Sequence, residues 1–415
     1  MAVFQRTELL VPWEELLEDW AVIACDQYTS QPDYWRGVRE RVGKKPSACH
    51  IVYPEAELGG DDEETRIAAI NAKMREYLNG KVFRRFPNAY LYIERTLLDG
   101  SIRRGVVGVV DLEEYDFREG SLSAVRATEE TVAERIPARV KVRSGAVLET
   151  SHVIMMMDDE EDGVLGWLEG RRASLPLLYS VDLMEGGGHI EGRLVRDTDA
   201  ADLEVRIENY EAESAARFYA MGKEPLLYAV GDGNHSLAAA KTCWEALKLR
   251  SPEVAGTNHP ARFAMVELQN IRDNCQKFEP IHRVLTEVST RALLNEAEDI
   301  CAPGGLPVDW QAGERQGMLF LDRARGEIQA AILQPLLDRY LKDHKGRIDY
   351  VHEEEAALKL SRKADAIAFL MPTIKKDGFF RGIAMGGVLP RKSFSLGHAQ
   401  EKRYYIECRK ITDTL

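Results

Sequence analysis

Two glycines, an acid, an amide, a histidine and a hydroxyl stand together in Gly231-Asp232-Gly233-Asn234-His235-Ser236. An apolar run, Leu226–Val230, precedes them, and an alanine-rich run from Leu237 to Lys248 follows. The first amides of a helix lack intrahelical acceptors, and its dipole favours negative charge at that end. Glycine lets the backbone turn sharply and come close to a ligand, so the loop is a candidate phosphate cradle. His235 adds a polar ring that packing does not require. The segment matches neither GxGxxG nor GxxxxGK[ST]. A plain strand-to-helix turn capped by Asp232 or Asn234 accounts for the same residues.

Other groups have types suited to chemistry. Asp26, in Cys25-Asp26-Gln27-Tyr28, follows the apolar run 21–24 and suits a general base or a metal-coordinating acid. An Asx turn is the plain alternative. An acid beside Cys25 disfavours its thiolate, so it is not read as a nucleophile. His282 and Arg283 follow Pro280, offering an acid/base or phosphate-donating pair, whereas a lone histidine is commonly a structural hydrogen-bonder. Lys392 and Ser393, in Leu389-Pro390-Arg391-Lys392-Ser393-Phe394, offer a cation and a hydroxyl, or only a surface loop. The run 126–143 is rich in guanidinium. If it is helical after Pro137, Arg139 and Arg143 share a face; as a strand, Arg139, Lys141 and Arg143 do. A solvated face laced with Glu129, Glu130 and Glu134 is the alternative. The acidic run 158–162 reads as a solvated turn, and no metal is assigned to it.

The elements that must carry these groups follow from periodicity. Short helices are expected over 12–20 and 31–42. A clearer one spans 61–78, where Ile67, Ile70, Met74 and Leu78 recur at helical spacing. Residues 88–111 read as a hairpin around Asp99-Gly100, and 177–195 as another around Gly186-Gly187-Gly188. Residues 151–157 and 261–268 read as strands, 202–221 and 289–300 as helices. A third hairpin is expected over 318–333 around Arg325-Gly326, and 302–308 and 255–259 are read as loops. Strand, helix and strand over 348–351, 353–363 and 366–370 have the order of a βαβ unit. Hairpins mixed with helices predict an α/β or α+β fold with mixed sheets.

With 415 residues, 45% hydrophobic and 30% charged, the chain supports two or three domains around a substantial core. We take 1–200 and 201–415 as two α/β lobes, the second carrying the glycine loop. A net charge of −13 argues against general nucleic-acid or membrane-surface binding. The six cysteines are scattered with no CxxC pair, which suits reduced thiols. No apolar run reaches membrane-spanning length, and the N-terminus lacks a signal-peptide profile. A cytoplasmic protein acting on a small molecule is expected, with homo-oligomers left open.

The segments VGDGNHSLAAAK, HPARFAMVELQN, FEPIHRVL and LPRKSFSLGHAQEKRYYIECRKI, with RATEETVAERIPARVKVR and WAVIACDQYTSQPDYW, resemble a bacterial branch of the SerK-like uncharacterised family (domain of unknown function, DUF 1015). The resemblance extends over nearly the whole chain. It implies a core partly similar to the ParB/sulfiredoxin nucleotide-binding fold with an added α/β lobe, and a relationship to an ADP-dependent kinase of free serine. It further implies ADP or ATP with Mg²⁺, and phosphate contacts from Gly231, Asp232, Gly233, Asn234, His235, Ser236, Arg126, Arg283, Lys392 and Ser393. Asp26, His235 and His282 are its catalytic candidates. The kinase branch reads Asp-Gly-His-His-Arg at the loop; here Ser236 replaces the arginine. The expected function is nucleotide-dependent phosphoryl transfer to a small hydroxylated metabolite, free serine being implied by the resemblance. The alternative is a nucleotide- or metabolite-binding regulator.

Overall fold

The computed structural model describes residues 2–29, 31–60, 62–131 and 136–413. The chain forms two compact units. The first comprises Met1–Ala127, Thr131–Gln276 and His398–Leu415; the second comprises Thr128–Glu130 and Lys277–Gly397. The expected boundary near residue 200 falls inside the first unit, within the helix Asp197–Ala220.

A mixed sheet organises the first unit. Its main path runs Tyr115–Asp116, Val125–Ala127, Tyr228–Asp232, Ile154–Met157, Phe263–Asn270, Ile102–Asp111, Phe83–Thr96, Thr7–Pro12, Cys408–Lys410, Leu148–Thr150. Strand Ile154–Met157 is antiparallel to Tyr228–Asp232 and parallel to Phe263–Asn270. The hairpin expected over 88–111 is present, turning at Gly100 with φ 81°. Leu91, Ile93, Val107 and Val109 enter one apolar cluster, and Tyr90, Tyr92, Val106 and Val110 enter another. Alternate side chains point to opposite faces, so these near-continuous apolar strands are covered on both sides. The helix Glu63–Asn79 buries Ile67, Ile70, Met74 and Leu78, the stripe its spacing predicts.

In the second unit, strands run in the order Arg315–Leu321, Cys301–Ala312, Ile367–Leu370, His282–Thr286, Arg347–Val351. The hairpin expected over 318–333 is corrected here. The turn lies at Gly313 (φ 61°), joining Cys301–Ala312 to Arg315–Leu321, and Gln329–Asp343 is a helix. Its buried Ile332, Leu333, Leu336, Leu337 and Tyr340 follow helical spacing, while Gly326 is extended at φ 160°. Residues 302–308, read as loop, belong to a strand whose register shifts between Cys301 and Leu306. The strand–helix–strand segment is present, but its two strands flank His282–Thr286 and do not pair with each other. Among the described residues, no helix is long and apolar enough to cross a membrane.

Candidate functional site

The glycine loop forms where the sequence places it. Strand Tyr228–Asp232 ends, Gly233 adopts φ 76° and ψ 23°, and the helix Asn234–Arg250 begins. A Cβ on Gly233 would lie 3.0 Å from Val153 Cα and 3.4 Å from His152 Cδ2. Glycine is therefore required twice, by the left-handed backbone and by the close approach. That approach follows from topology. Antiparallel pairing sets Asp232 opposite Ile154, so the end of one strand meets the entry to the other, where His152 lies.

The loop amides from Gly233 to Ser236 differ in what they already bind. Gly233 N–H donates to its neighbour Asp232 Oδ1 at 2.9 Å, and Ser236 N–H to the Gly233 carbonyl at 3.0 Å. Asn234 and His235 occupy the half-buried first turn of the helix, where acceptors from within the helix are lacking. Asn234 Oδ1 is buried without a hydrogen-bond partner among the described residues. Lys402 Nζ lies 3.2 Å from Asp232 Oδ2, bringing a cation to the loop.

Asp26 belongs to the same unit. The two-residue strand Val22–Ile23 pairs with Tyr404–Tyr405, and the turn after it presents Asp26. Gln27 Nε2 donates to Asp26 Oδ1 at 3.0 Å, and Asp26 Oδ2 lies 3.8 Å from His152 Nε2. His152 is buried, and its Nε2 has no hydrogen-bond partner among the described residues. Its Nδ1 lies 2.7 Å from Tyr405 Oη, which accepts the Cys25 N–H. When the Tyr405 hydroxyl donates to Nδ1, the ring proton sits on Nε2 and faces Asp26. Burial pushes the Asp26 carboxyl up, but His152, the Gln27 amide, Arg139 and Lys402 outweigh it and the net direction is down. Burial, then Asp26 and Glu55 against Arg139 and Tyr405, sends the Cys25 thiol up to about 11, leaving it inert at neutral pH.

A cavity of about 140 Å³ adjoins this group, its lining including Cys25, Glu55, Arg139, His152, Ser236 and Met74. The segment Ile136–Ser144 is helical, so Arg139 and Arg143 share the cavity wall, paired with Glu55 and Glu149. Glu134, named with that run, lies outside the described residues.

The remaining sequence candidates have other surroundings. Arg126, on a strand beside Tyr228–Asp232, donates to the carbonyls of Ser123, Glu224 and Pro225 at 2.7, 3.2 and 3.0 Å. Its guanidinium is buried as a backbone tether, and burial lowers its pKa against the pull of Glu224. His282, Arg283, Lys392 and Ser393 belong to the second unit. His282 is buried, its Nδ1 accepting the Met371 N–H at 3.0 Å, and burial lowers its pKa. Arg283 is fully buried, bonded to Gln334 Oε1 and the Ile281 carbonyl, and burial brings it down to about 10. The amides of Lys392, Ser393 and Phe394 converge on the Glu129 carboxylate at 3.3, 2.9 and 3.4 Å. Glu129, expected on a solvated face, is thus the anion in that nest. Reading the sequence missed His152, Tyr405 and Lys402. Only His152 carries a local signal, as a polar residue immediately before the apolar run Val153–Met157.

Residues 9–375 match the family described as "Protein of unknown function (DUF1015)". No curated protein matches the chain. Among solved structures, a free serine kinase mutant in complex with ADP aligns at TM-score 0.40 and 10% identity, over 73% of this chain and 91% of that one. A free serine kinase in complex with AMP aligns at 0.39 and 11%, over 72% and 92%. A conserved hypothetical protein from Pyrococcus furiosus aligns at 0.34 and 11%, over 72% and 95%.

Proposed function

The chain belongs to the DUF1015 family, and from that premise we propose that it binds a nucleotide phosphate at the start of the helix Asn234–Arg250 and transfers it to a small hydroxylated metabolite. The observation that carries this reading is a pair of buried polar atoms beside Gly233 without hydrogen-bond partners among the described residues: His152 Nε2, and the acceptor Asn234 Oδ1, which takes a donor such as the metabolite's hydroxyl and not a phosphate oxygen. Leaving such an atom unsatisfied costs about 1–3 kcal/mol, which a bound ligand recovers.

In this reading the first-turn amide of Asn234, the helix dipole and Lys402 meet the phosphate oxygens. A hydroxyl oxygen at hydrogen-bond distance from both groups fits across the 3.8 Å between Asp26 and His152. Asp26 takes the hydroxyl proton, with the Gln27 amide holding the carboxylate and Tyr405 holding the His152 ring. Phosphoryl transfer through a loose transition state asks mainly for such positioning and charge neutralisation. Mg²⁺ carried by the phosphates needs only one or two protein carboxylates, and Asp26 and Asp232 are those the site offers. When bound, it neutralises charge on the transferring group. Free serine is the first acceptor to try.

A regulator that binds nucleotide without turnover is the second reading. Ser236 in the place of a phosphate-binding arginine, and two loop amides already engaged, favour it. Calorimetry with ADP and ATP, with and without Mg²⁺, is the first test, followed by a phosphorylation assay over hydroxylated metabolites including serine. Binding that weakens at least tenfold in Gly233→Val, and transfer lost in Asp26→Asn with binding kept, are the expected results. Binding without transfer to any acceptor replaces the kinase with the regulator. No binding of either nucleotide refutes both.

A further inference from the structure

The hairpin of Leu177–Asp182 and His189–Val195 carries Ser180, Asp182 and His189, the residue types of a nucleophilic triad. Ser180 Oγ lies 2.9 Å from His189 Nε2, and His189 Nδ1 lies 2.6 Å from Asp182 Oδ1. The strand geometry explains the arrangement. Asp182 pairs directly with His189, and Ser180, two residues from Asp182, shares its face. The imidazole therefore spans from its cross-strand neighbour to the diagonal one.

The protonation pattern follows from the atoms. An ionised carboxylate only accepts, so Nδ1 carries the ring proton and points it at Asp182. Nε2 is then an acceptor, and the Ser180 hydroxyl is its donor. This is the tautomer in which imidazole serves as general base to a serine. The opposite residue on that face, Glu191, is neutralised by Arg172 at 2.6 Å and Arg193 at 3.0 Å. An attacking alkoxide therefore does not face an unpaired carboxylate. His189 and Asp182 are solvent-accessible, at 38% and 89% of their side chains, and Ser180 is half-buried.

The geometry points to Ser180 as an activated nucleophile that takes acyl groups from activated esters, a reactivity independent of the phosphate site. Ser180 Oγ forms a bond to the acyl carbon while His189 Nε2 takes the hydroxyl proton. The ester C–O bond then breaks, and the same proton goes from His189 to the leaving alkoxide. Water attacks the acyl-serine by the reverse proton path, releasing the carboxylic acid and restoring Ser180. Asp182 stays ionised and positions the ring. The amides on the inner edge of Leu177–Asp182 serve its ladder with His189–Val195, and among the described residues no pair of amides is seen to converge beside Ser180 for the oxyanion. Each missing donor of that kind costs about 10²–10³ in rate. Acylation with slow turnover is therefore expected.

A fluorophosphonate probe and p-nitrophenyl acetate test this on the full chain, with the modified residue located by peptide mass spectrometry. Ser101, whose hydroxyl meets Asp99, is the internal control. Ser180 should label at least tenfold faster than Ser101, and the rate should fall at least tenfold in His189→Ala. Asp182→Asn should slow labelling while Asp182→Glu keeps it, a pattern that loss of folding would not give. Nucleotide binding should be unchanged in Ser180→Ala. Labelling of Ser180 no faster than Ser101, or unaffected by His189→Ala, overturns the assignment.

Discussion

Burial works to protonate Asp26, and the surrounding cations and amides work harder to keep it charged. A base with a lowered pKa is weak, which suits a step where the proton leaves late and orientation matters most. Stability follows the same balance. Because the folded pKa lies below the unfolded one, the charged carboxylate stabilises the fold above the ordinary value near 3.8, and that gain disappears as pH falls through the folded pKa. Urea melts of the wild type and Asp26→Asn should therefore differ most above pH 5 and converge on acidification below pH 4. A gap that widens on acidification would contradict the direction of the shift. His152 depends on Asp26 in turn, since its buried Nε2 faces no other acceptor among the described residues.

At the level of elements, the site exists because two strands run in opposite senses. The end of Tyr228–Asp232 meets the start of Ile154–Met157, so the glycine loop and His152 arrive together. On the other side of Tyr228–Asp232, the strand Val125–Ala127 is parallel to it, and Arg126 anchors the approach by binding carbonyls of 123, 224 and 225. Its role here is to hold Glu224 and Pro225, which lead into the strand before the loop. Replacing Arg126 with Met leaves those carbonyls without their donor, and loss of charged hydrogen bonds at about 1.5–3 kcal/mol each sets the scale. Arg126→Met should lower unfolding stability by about 2–4 kcal/mol in denaturant titration. Nucleotide affinity measured well below the melting temperature should change less than twofold. A loss of affinity with unchanged stability would return Arg126 to the list of phosphate ligands.

For the whole molecule, the first unit includes a segment that returns to it from far along the chain. Residues 398–413 of it supply Lys402, Tyr405 and the buried Arg403. Arg403 bonds Glu267 and Glu407, each at 2.6 Å, and Tyr179 adds its hydroxyl to Glu407. Arg95 binds the carbonyls of Gly187, Gln400, Glu401 and Lys402, and burial lowers its pKa to about 9. Removing one member of a buried charge network costs about 3–5 kcal/mol, because its partners stay buried and unpaired. Arg403→Met should accordingly reduce unfolding stability by about 3–5 kcal/mol and carry nucleotide binding down with it, read by calorimetry and thermal melting together. Preserved stability would mean that the two carboxylates find other partners or take up protons.

Local rules account for the parts of this protein that were readable in advance. Turn residues and alternation announced the hairpin Phe83–Thr96 with Ile102–Asp111, and a 3.6-residue stripe announced Glu63–Asn79. Glycine at a left-handed position announced the strand–loop–helix around Gly233. The same rules failed over Gln329–Asp343, where Pro335 and a short apolar run hid a helix whose packing sets its stripe. Ser180, Asp182 and His189 went unnoticed because residue type alone does not reveal register. His152 and Tyr405 stand 253 positions apart and meet where Cys408–Lys410 pairs with Leu148–Thr150. The chain's order encodes which segments form; which side chains then face one another is settled by antiparallel contacts and burial, acting between residues that have no local relation.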